Sequence, residues 1–316
     1  MAGFSRVFVV QHPQVRTGFY DEALEWARVN FPAVHALFDV RELPVRPQWW
    51  AVRALIPWLQ DPVEQWSAGT YDATMELQAA CDRRAIRVLN RVERLANAGK
   101  VEGAARIAST GLRVPRMVRI LDAGEFRRDF GGLTFPIFIR EDWGHGYPML
   151  RLDTPEEARV APLDGFGRPV ATELVDVREA DGLCYKYRYL ACGNVGISHH
   201  LQASRAWITR GGNRELNAST RQRELDYISR PDRHHERFQQ ARRALGLDFV
   251  AFDYGLDSRG EPIVWEANPF PHIQFARSTT AYRNAAIERS VAAMFAMYLE
   301  AAALPVPAAL AAKVSY

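Results

Sequence analysis

Cysteine is scarce: 316 residues contain three, Cys81, Cys184 and Cys192, with no CxxC pair among them. That excludes a disulfide scaffold and a cysteine-ligated zinc module, and it fits inert thiols in a reducing cytoplasm. Long apolar runs are also missing. The most apolar late segment, Ser290 to Leu299, lies between Arg289 and Glu300. It is too short to cross a bilayer and reads as a buried helix. The first residues, Met1-Ala2-Gly3-Phe4-Ser5-Arg6, lack the basic, apolar and small-residue order of a signal peptide. No low-complexity tract and no internal repeat is present. Net charge is only +3, and the basic residues are scattered among acids. Neither a nucleic acid nor a membrane is therefore expected as a partner. Neither GxxxxGK[ST] nor GxGxxG occurs, which excludes the P-loop and the Rossmann fingerprint as phosphate sites.

What the chain does have is an acidic hairpin. Phe249 to Tyr254 and Ile263 to Asn268 read as two apolar strands joined by the polar turn Asp257 to Pro262. Folding them about the turn puts Asp253 opposite Glu266. Directly opposed like charges are destabilising, so two carboxylates facing each other among apolar neighbours call for a cation. Asn268, two residues beyond Glu266, shares its face and adds a neutral oxygen. Such an oxygen set suits magnesium, which completes its shell with substrate phosphates. A bulge would shift the register by one residue and is expected to separate the acids.

A composition of 48% hydrophobic and 24% charged residues marks a globular chain, long enough for two or three units. Residues 1–96 read as a small α/β unit of the doubly wound type. Its strands fall at Val7–Val10, Val34–Val40 and Ile86–Asn90, its helices at Asp21–Asn30 and Tyr71–Ala85. Ala54 to Pro62 reads as a loop rich in aromatics and prolines. Residues 97–168 read as a second unit, with a helix at Val101–Thr110 stopped by Gly111 and a strand at Phe135–Arg140. Residues 169–316 read as a third, with a strand at Val170–Val175, a strand pair across Gly193-Asn194, a helix at Arg233–Leu245 and the acidic hairpin. The rhythm is α+β with antiparallel pairs. Trp49, Trp50 and Trp58 are candidates to line a substrate cleft or the face of a homodimer.

Several cations stand where an anion could sit. Lys100 opens a helix, against the macrodipole, which invites a bound anion. Arg140 ends an apolar strand and precedes a loop with Gly144, His145 and Gly146, whose amides could approach phosphate. Lys186 and Arg188 flank Tyr187 and share one face of a strand. His199 or His200 is expected opposite Arg188, as a proton-transfer group or, preferably, a structural pair.

Together these residues resemble the ATP-grasp superfamily over roughly residues 85–275. Its ending appears as Leu245-Gly246-Leu247-Asp248, Asp253 and Glu266-Ala267-Asn268-Pro269-Phe270-Pro271. Its Lys, helix, Gly and Val-Pro pattern appears as Lys100, Gly111 and Val114-Pro115. The resemblance implies an ATP-grasp fold, two α+β subdomains clamping ATP behind a small α/β domain. It also implies roles: Asp253, Glu266 and Asn268 as ligands of magnesium, or of manganese in its place; Lys100 and Arg140 on the nucleotide phosphates; Gly144-His145-Gly146 as the flap; Glu173, Leu174 and Val175 as the adenine hinge; and Arg188 on the transferred phosphate and acyl intermediate. Lys186 stands where many relatives carry a ribose-binding acid, and Arg210-Gly211-Gly212 resembles a further turn near the phosphates. A closer similarity, around Tyr185 to Arg188 and His199-His200-Leu201, is to a branch of glutathione-synthetase-like proteins. The implied activity is an ATP-dependent ligase joining a small-molecule or peptide carboxylate to an amine through an acyl phosphate. A kinase on the same fold, with His199 or His200 as base, and a non-catalytic ATP-binding module are the alternatives.

Overall fold

The computed structural model describes residues 6–15, 18–143, 149–209 and 211–316. The apolar run near the start forms β1 (Arg6–Gln11), its four central residues buried. It pairs in parallel with β2 (Phe38–Glu42) and β3 (Val52–Trp58), and β4 (Arg87–Val88) adds to β3 in parallel. Parallel neighbours need crossovers, and the helices Gly18–Asn30 and Ala68–Asp82 lie in the connections. This is the doubly wound unit expected. Two details differ. Pro32–His35 is a helical turn, so the second strand starts only at Phe38. The supposed loop from Ala54 is the inner strand β3. Its Pro57 is tolerated because β4 reaches only Ala54 and Leu55, leaving the strand bordered on one side there.

The second sheet contains β5 (Met117–Arg119), β6 (Ile137–Glu141), β7 (Met149–Leu152) and β8 (Pro169–Glu173), in the order β5-β8-β6-β7. All its pairs are antiparallel. β8 therefore lies beyond the expected boundary at 168 yet belongs to this sheet, paired with β5 and β6. Ile137, Ile139, Leu152 and Ala171 join Phe126 and Phe130 in a core of its own. The helix Lys100–Ala108 precedes it.

The third sheet is antiparallel in the order β10-β9-β11-β12: β9 (Cys184–Cys192), β10 (Val195–Ser204), β11 (Phe249–Leu256) and β12 (Pro262–Asn268). Alternation along β9 divides its faces. Tyr185, Tyr187 and Tyr189 pack into one core with Phe238, Phe252 and Tyr254. Leu190 and Cys192, on the face that carries Lys186 and Arg188, pack into another with the helix Asn284–Ala301. That helix fulfils the expectation for Ser290 to Leu299. It also joins the third sheet to the first. Trp58 Nε1 donates to Tyr298 Oη at 2.9 Å, and Phe38 meets Phe295 edge-on at 4.9 Å. Trp58 is buried in this seam, so it lines neither a cleft nor a dimer face.

The hairpin register corrects the expectation about bulges. Tyr254 pairs with Val264, but Asp253 pairs with Glu266, so Trp265 is the extra residue. Without the bulge, Asp253 would face Trp265; the bulge brings the acids together. β10 carries a second bulge at His199, between the pairs Ser198–Tyr189 and His200–Arg188. Trp265 packs beside Val177 and Ile263. A Cβ on Gly255 would come within 2.6 Å of its ring and 3.1 Å of Val177. Gly255→Ala is expected to overpack the bulge and destabilise the fold by about 1–3 kcal/mol. A urea midpoint equal to that of the unsubstituted protein would refute the need for this space.

Candidate active site

The two bulges align one residue from each strand of the third sheet. Glu266 on β12 faces Asp253 on β11, Asp253 faces Arg188 on β9, and Arg188 faces His200 on β10. The row crosses the sheet on a single face. Beyond Arg188 the same face of β9 runs under the C-terminal helix through Leu190, so one end of the face is core and the other is site.

Each acid in the row is held by two cations. Arg188 forks onto Asp253, Nε to Oδ1 at 2.6 Å and Nη2 to Oδ2 at 2.8 Å. Lys186 Nζ lies 3.5 Å from Oδ2. Burial alone would raise the Asp253 carboxyl, but Arg188 and Lys186 outweigh it and hold the group well below the usual carboxylate range. Glu266 receives its cations from the second unit. Lys100 Nζ is 3.0 Å from Oε1, and Arg140 Nη2 is 3.7 Å from Oε2. Burial pushes the Lys100 amine down, Glu266 opposes that, and Arg140 adds to it. Asp142 fixes this pair of elements together. Its carbonyl accepts from the Lys100 amide at 2.7 Å and its Oδ1 from the Val101 amide at 3.1 Å. The carboxylate also holds Arg119 at 2.6 Å.

Lys100, Arg140, Lys186, Arg188, Asp253 and Glu266 thus converge. Asn268 is buried on the same hairpin, its Oδ1 accepting the Phe270 amide at 2.9 Å. Among the described residues no group of three or more His, Cys, Asp or Glu is gathered as a metal site. Two carboxylates and an amide oxygen remain as donors, and in kind they fit a hard divalent ion. Glu173, Leu174 and Val175 form the crossing from the second sheet to the third. The Glu173 carboxylate accepts the Thr134 amide at 2.8 Å, the Leu174 amide donates to Pro136 at 3.0 Å, and Val175 packs on Val177 and Ile263. Gly144, His145, Gly146 and Arg210 lie outside the described residues.

His199 is buried and His200 is half-buried. Ser290 Oγ donates to the Ala286 carbonyl at 2.8 Å, which leaves it to accept from His199 Nδ1 at 2.8 Å. Burial, helped by Arg188, pushes His199 down to about 3 and His200 well below its ordinary value. Sequence reasoning missed Asp61, a buried carboxyl from the first unit. Burial pushes it up to about 6; Lys100 opposes that and Glu266 adds to it. The signal available was an acid closing an apolar run. A second signal was composition: the chain has three lysines, Lys100, Lys186 and Lys313, against 37 arginines, and two of the three stand in this site.

No family model matches the chain. No curated protein matches it either. Solved structures do. The ATP-grasp ligase PsnB, in complex with a minimal precursor, Mg and ADP, superposes with a TM-score of 0.58 at 15% identity, covering 92% of this chain and 97% of that one. The VanG D-Ala:D-Ser ligase from Enterococcus faecalis gives 0.58 at 12% identity, covering 94% and 99%. The D-alanine–D-alanine ligase from Bacillus anthracis, in complex with ATP, gives 0.55 at 12%, covering 95% and 97%. At such identities the likeness shows the fold: three sheets in the ATP-grasp arrangement, over almost the whole chain. No helix among the described residues is long and apolar enough to cross a membrane.

The Asp61 carboxyl gives a test of the site's electrostatics. Its folded-state value of about 6 lies above the ordinary 3.8 of an aspartate, so the native state binds more protons between those limits. Stability from this group is therefore full below about pH 4 and is lost as pH rises through about 6, a change of about 3 kcal/mol. In Asp61→Asn that loss is absent. The melting temperature of the variant relative to the unsubstituted protein should rise between pH 4 and pH 7.5 in thermal scans without nucleotide or metal. A pH-independent difference would mean that Asp61 is not desolvated in this way.

Proposed function

We propose that the protein is an ATP-dependent ligase that joins a carboxylate to an amine, with ADP and phosphate as products. The observation that carries this reading is the convergence of Lys100 and Arg140 from one unit with Lys186, Arg188, Asp253 and Glu266 from another. Positive charge exceeds negative by two in that group, as a site for a polyanion and its metal requires. The ATP-grasp fold supports the same reading, as do the ligands named for its structural neighbours: ATP in one, Mg and ADP in another, and a precursor peptide bound to PsnB.

Asp253, Glu266 and Asn268 would hold magnesium, which when bound neutralises phosphate charge and orients the transferred group. All four carboxylate oxygens now face cations, so occupation of the acids frees those cations for phosphate oxygens. Lys100 and Arg140, at the ends of a helix and a strand, would anchor the phosphate chain. Arg188 lies at the centre of the row, with His200 beyond it. There its guanidinium would hold the substrate carboxylate during attack on phosphorus, then stabilise the oxyanion formed when the amine adds to the acyl phosphate. The buried His199 and half-buried His200, held neutral, add no charge of their own beside Arg188. The same burial makes them weak bases, so nothing favours the kinase alternative.

ADP release against pooled amino acids and dipeptides tests the reading. Turnover should require magnesium, and Arg188→Ala should lower it about 10²–10³-fold, the usual effect of removing one oxyanion donor. Glu266→Gln should abolish magnesium-dependent nucleotide binding while the circular dichroism spectrum stays native. Full activity in either variant would remove the assignment.

A further inference from the structure

β10 is an edge strand, bordered only by β9 among the described residues. Such a strand turns the amide and carbonyl of every second residue outward, away from its partner. Other parts of the chain meet these outward groups. The Ala203 carbonyl accepts the Glu215 amide at 2.9 Å. The Leu201 amide donates to Glu224 Oε1 at 3.1 Å, and the Ser198 amide donates to Tyr316 Oη at 2.6 Å. Leu201 and Ala203 are two residues apart, as in a regular strand. Ser198 and Leu201 are three apart, because the bulge at His199 lies between them. Glu224 and Tyr316 are therefore spaced to the bulged strand and would not both meet outward amides of a regular one.

The bulge decides what stands in the row. In a regular β10, Leu201 would come opposite Lys186, and His200 would come opposite Tyr187, facing the core. Leu201 and Ala203, packed in the core, hold the far side of the bulge. On the near side two hydrogen bonds hold Ser198 from outside the sheet. Its hydroxyl donates to the Arg230 carbonyl at 2.8 Å, and its amide is the one that meets Tyr316. Tyr316 is partly exposed yet fixed. The Arg289 guanidinium lies 4.1 Å over its ring and donates to the Ser315 carbonyl at 3.1 Å and the Ile228 carbonyl at 2.9 Å. Arg289 and Ser290, neighbours on the helix Asn284–Ala301, thus support both residues of the bulge: Arg289 reaches Ser198 through Tyr316, and Ser290 meets His199. We propose that Tyr316 is a positioning residue: its hydroxyl holds β10 in the bulged register and so keeps His200 in line with Arg188. Its consequence for turnover rests on the ligase reading of Arg188, but the hold on the bulge does not.

Tyr316→Phe removes the hydroxyl and keeps the ring beneath Arg289. Losing one hydrogen bond of this kind should speed amide exchange at Ser198 about three- to tenfold, with exchange along β11 unchanged. In nuclear magnetic resonance spectra the ring nitrogen shifts of His200 should move, and those of His12 in the first unit should not. Both measurements use the full chain without substrate. In the ADP-release assay kcat should fall about three- to tenfold with KM for ATP unchanged. In an Arg188→Ala background Tyr316→Phe should cost nothing further. Exchange at Ser198 or His200 shifts equal to those of the unsubstituted protein would overturn the hold on the bulge, as would faster exchange spread equally over β11. An equal loss of kcat with and without Arg188 would overturn the link to the row. If the unsubstituted protein shows no turnover, the ligase reading falls, while exchange and the His200 shifts still decide whether Tyr316 positions the row.

Discussion

Two carboxylates stand side by side on adjacent strands in a largely buried sheet, and the architecture of the site follows from keeping both ionised. An isolated buried carboxylate would take up a proton rather than remain charged. Asp253 and Glu266 avoid this because four cations surround them. Two of those cations, Lys186 and Arg188, come from the neighbouring strand. The other two, Lys100 and Arg140, come from the second unit. The requirement that keeps Glu266 charged therefore also draws two units together. Buried ion pairs of this kind add little net stability, since desolvation cancels most of the attraction. Their effect here is on arrangement: they fix which surface of the second unit meets which row of the third sheet.

The arrangement depends on two irregularities in otherwise regular hairpins. A strand alternates its faces strictly, so a row across four strands survives only if every register is right. In β12 the extra residue is Trp265, and in β10 it is His199. Each bulge turns the following residue into line, Glu266 in one case and His200 in the other. Bulges placed beside a functional row are a recurrent means of re-aiming side chains. Gly255 belongs to the same device, since any larger residue would press on the bulged tryptophan.

Much of this was legible because it is local. The polar turn between two apolar runs announces the acidic hairpin, and the Lys-Tyr-Arg alternation announces two cations on one face. The parallel first sheet is legible from short apolar runs spaced by helical patterns. What escaped is pairing over distance. Pro57 looked like a breaker because a sequence does not say that β4 stops short of it. β8 reads as the start of the third unit because its short apolar run fits either sheet. Asp61 meets the row only through tertiary packing, and no spacing along the chain relates it to Arg188. The scarcity of lysine was visible throughout. A chain that uses arginine almost everywhere else keeps two lysines against its paired acids.

The distances grade the four cations. Arg188 grips Asp253 with a bidentate fork at 2.6 and 2.8 Å, a geometry a planar guanidinium fixes and gives up reluctantly. Lys186 stands off the same carboxylate at 3.5 Å, and Arg140 stands off Glu266 at 3.7 Å. On the proposed reading, an entering polyanion would draw the loosely held pair first, and Arg188 would leave Asp253 only once a metal ion occupies that carboxylate. Lys100 is the intermediate case: it is bonded to Glu266 at 3.0 Å, yet its amine is a point charge on a flexible stem. Burial makes its charge costly, so a second anion nearby relieves a strain that Glu266 alone leaves in place. The cations thus form a graded set, from fixed to mobile. On the proposed function, that gradation would let one cluster hold two neighbouring acids when empty and a phosphate chain when filled.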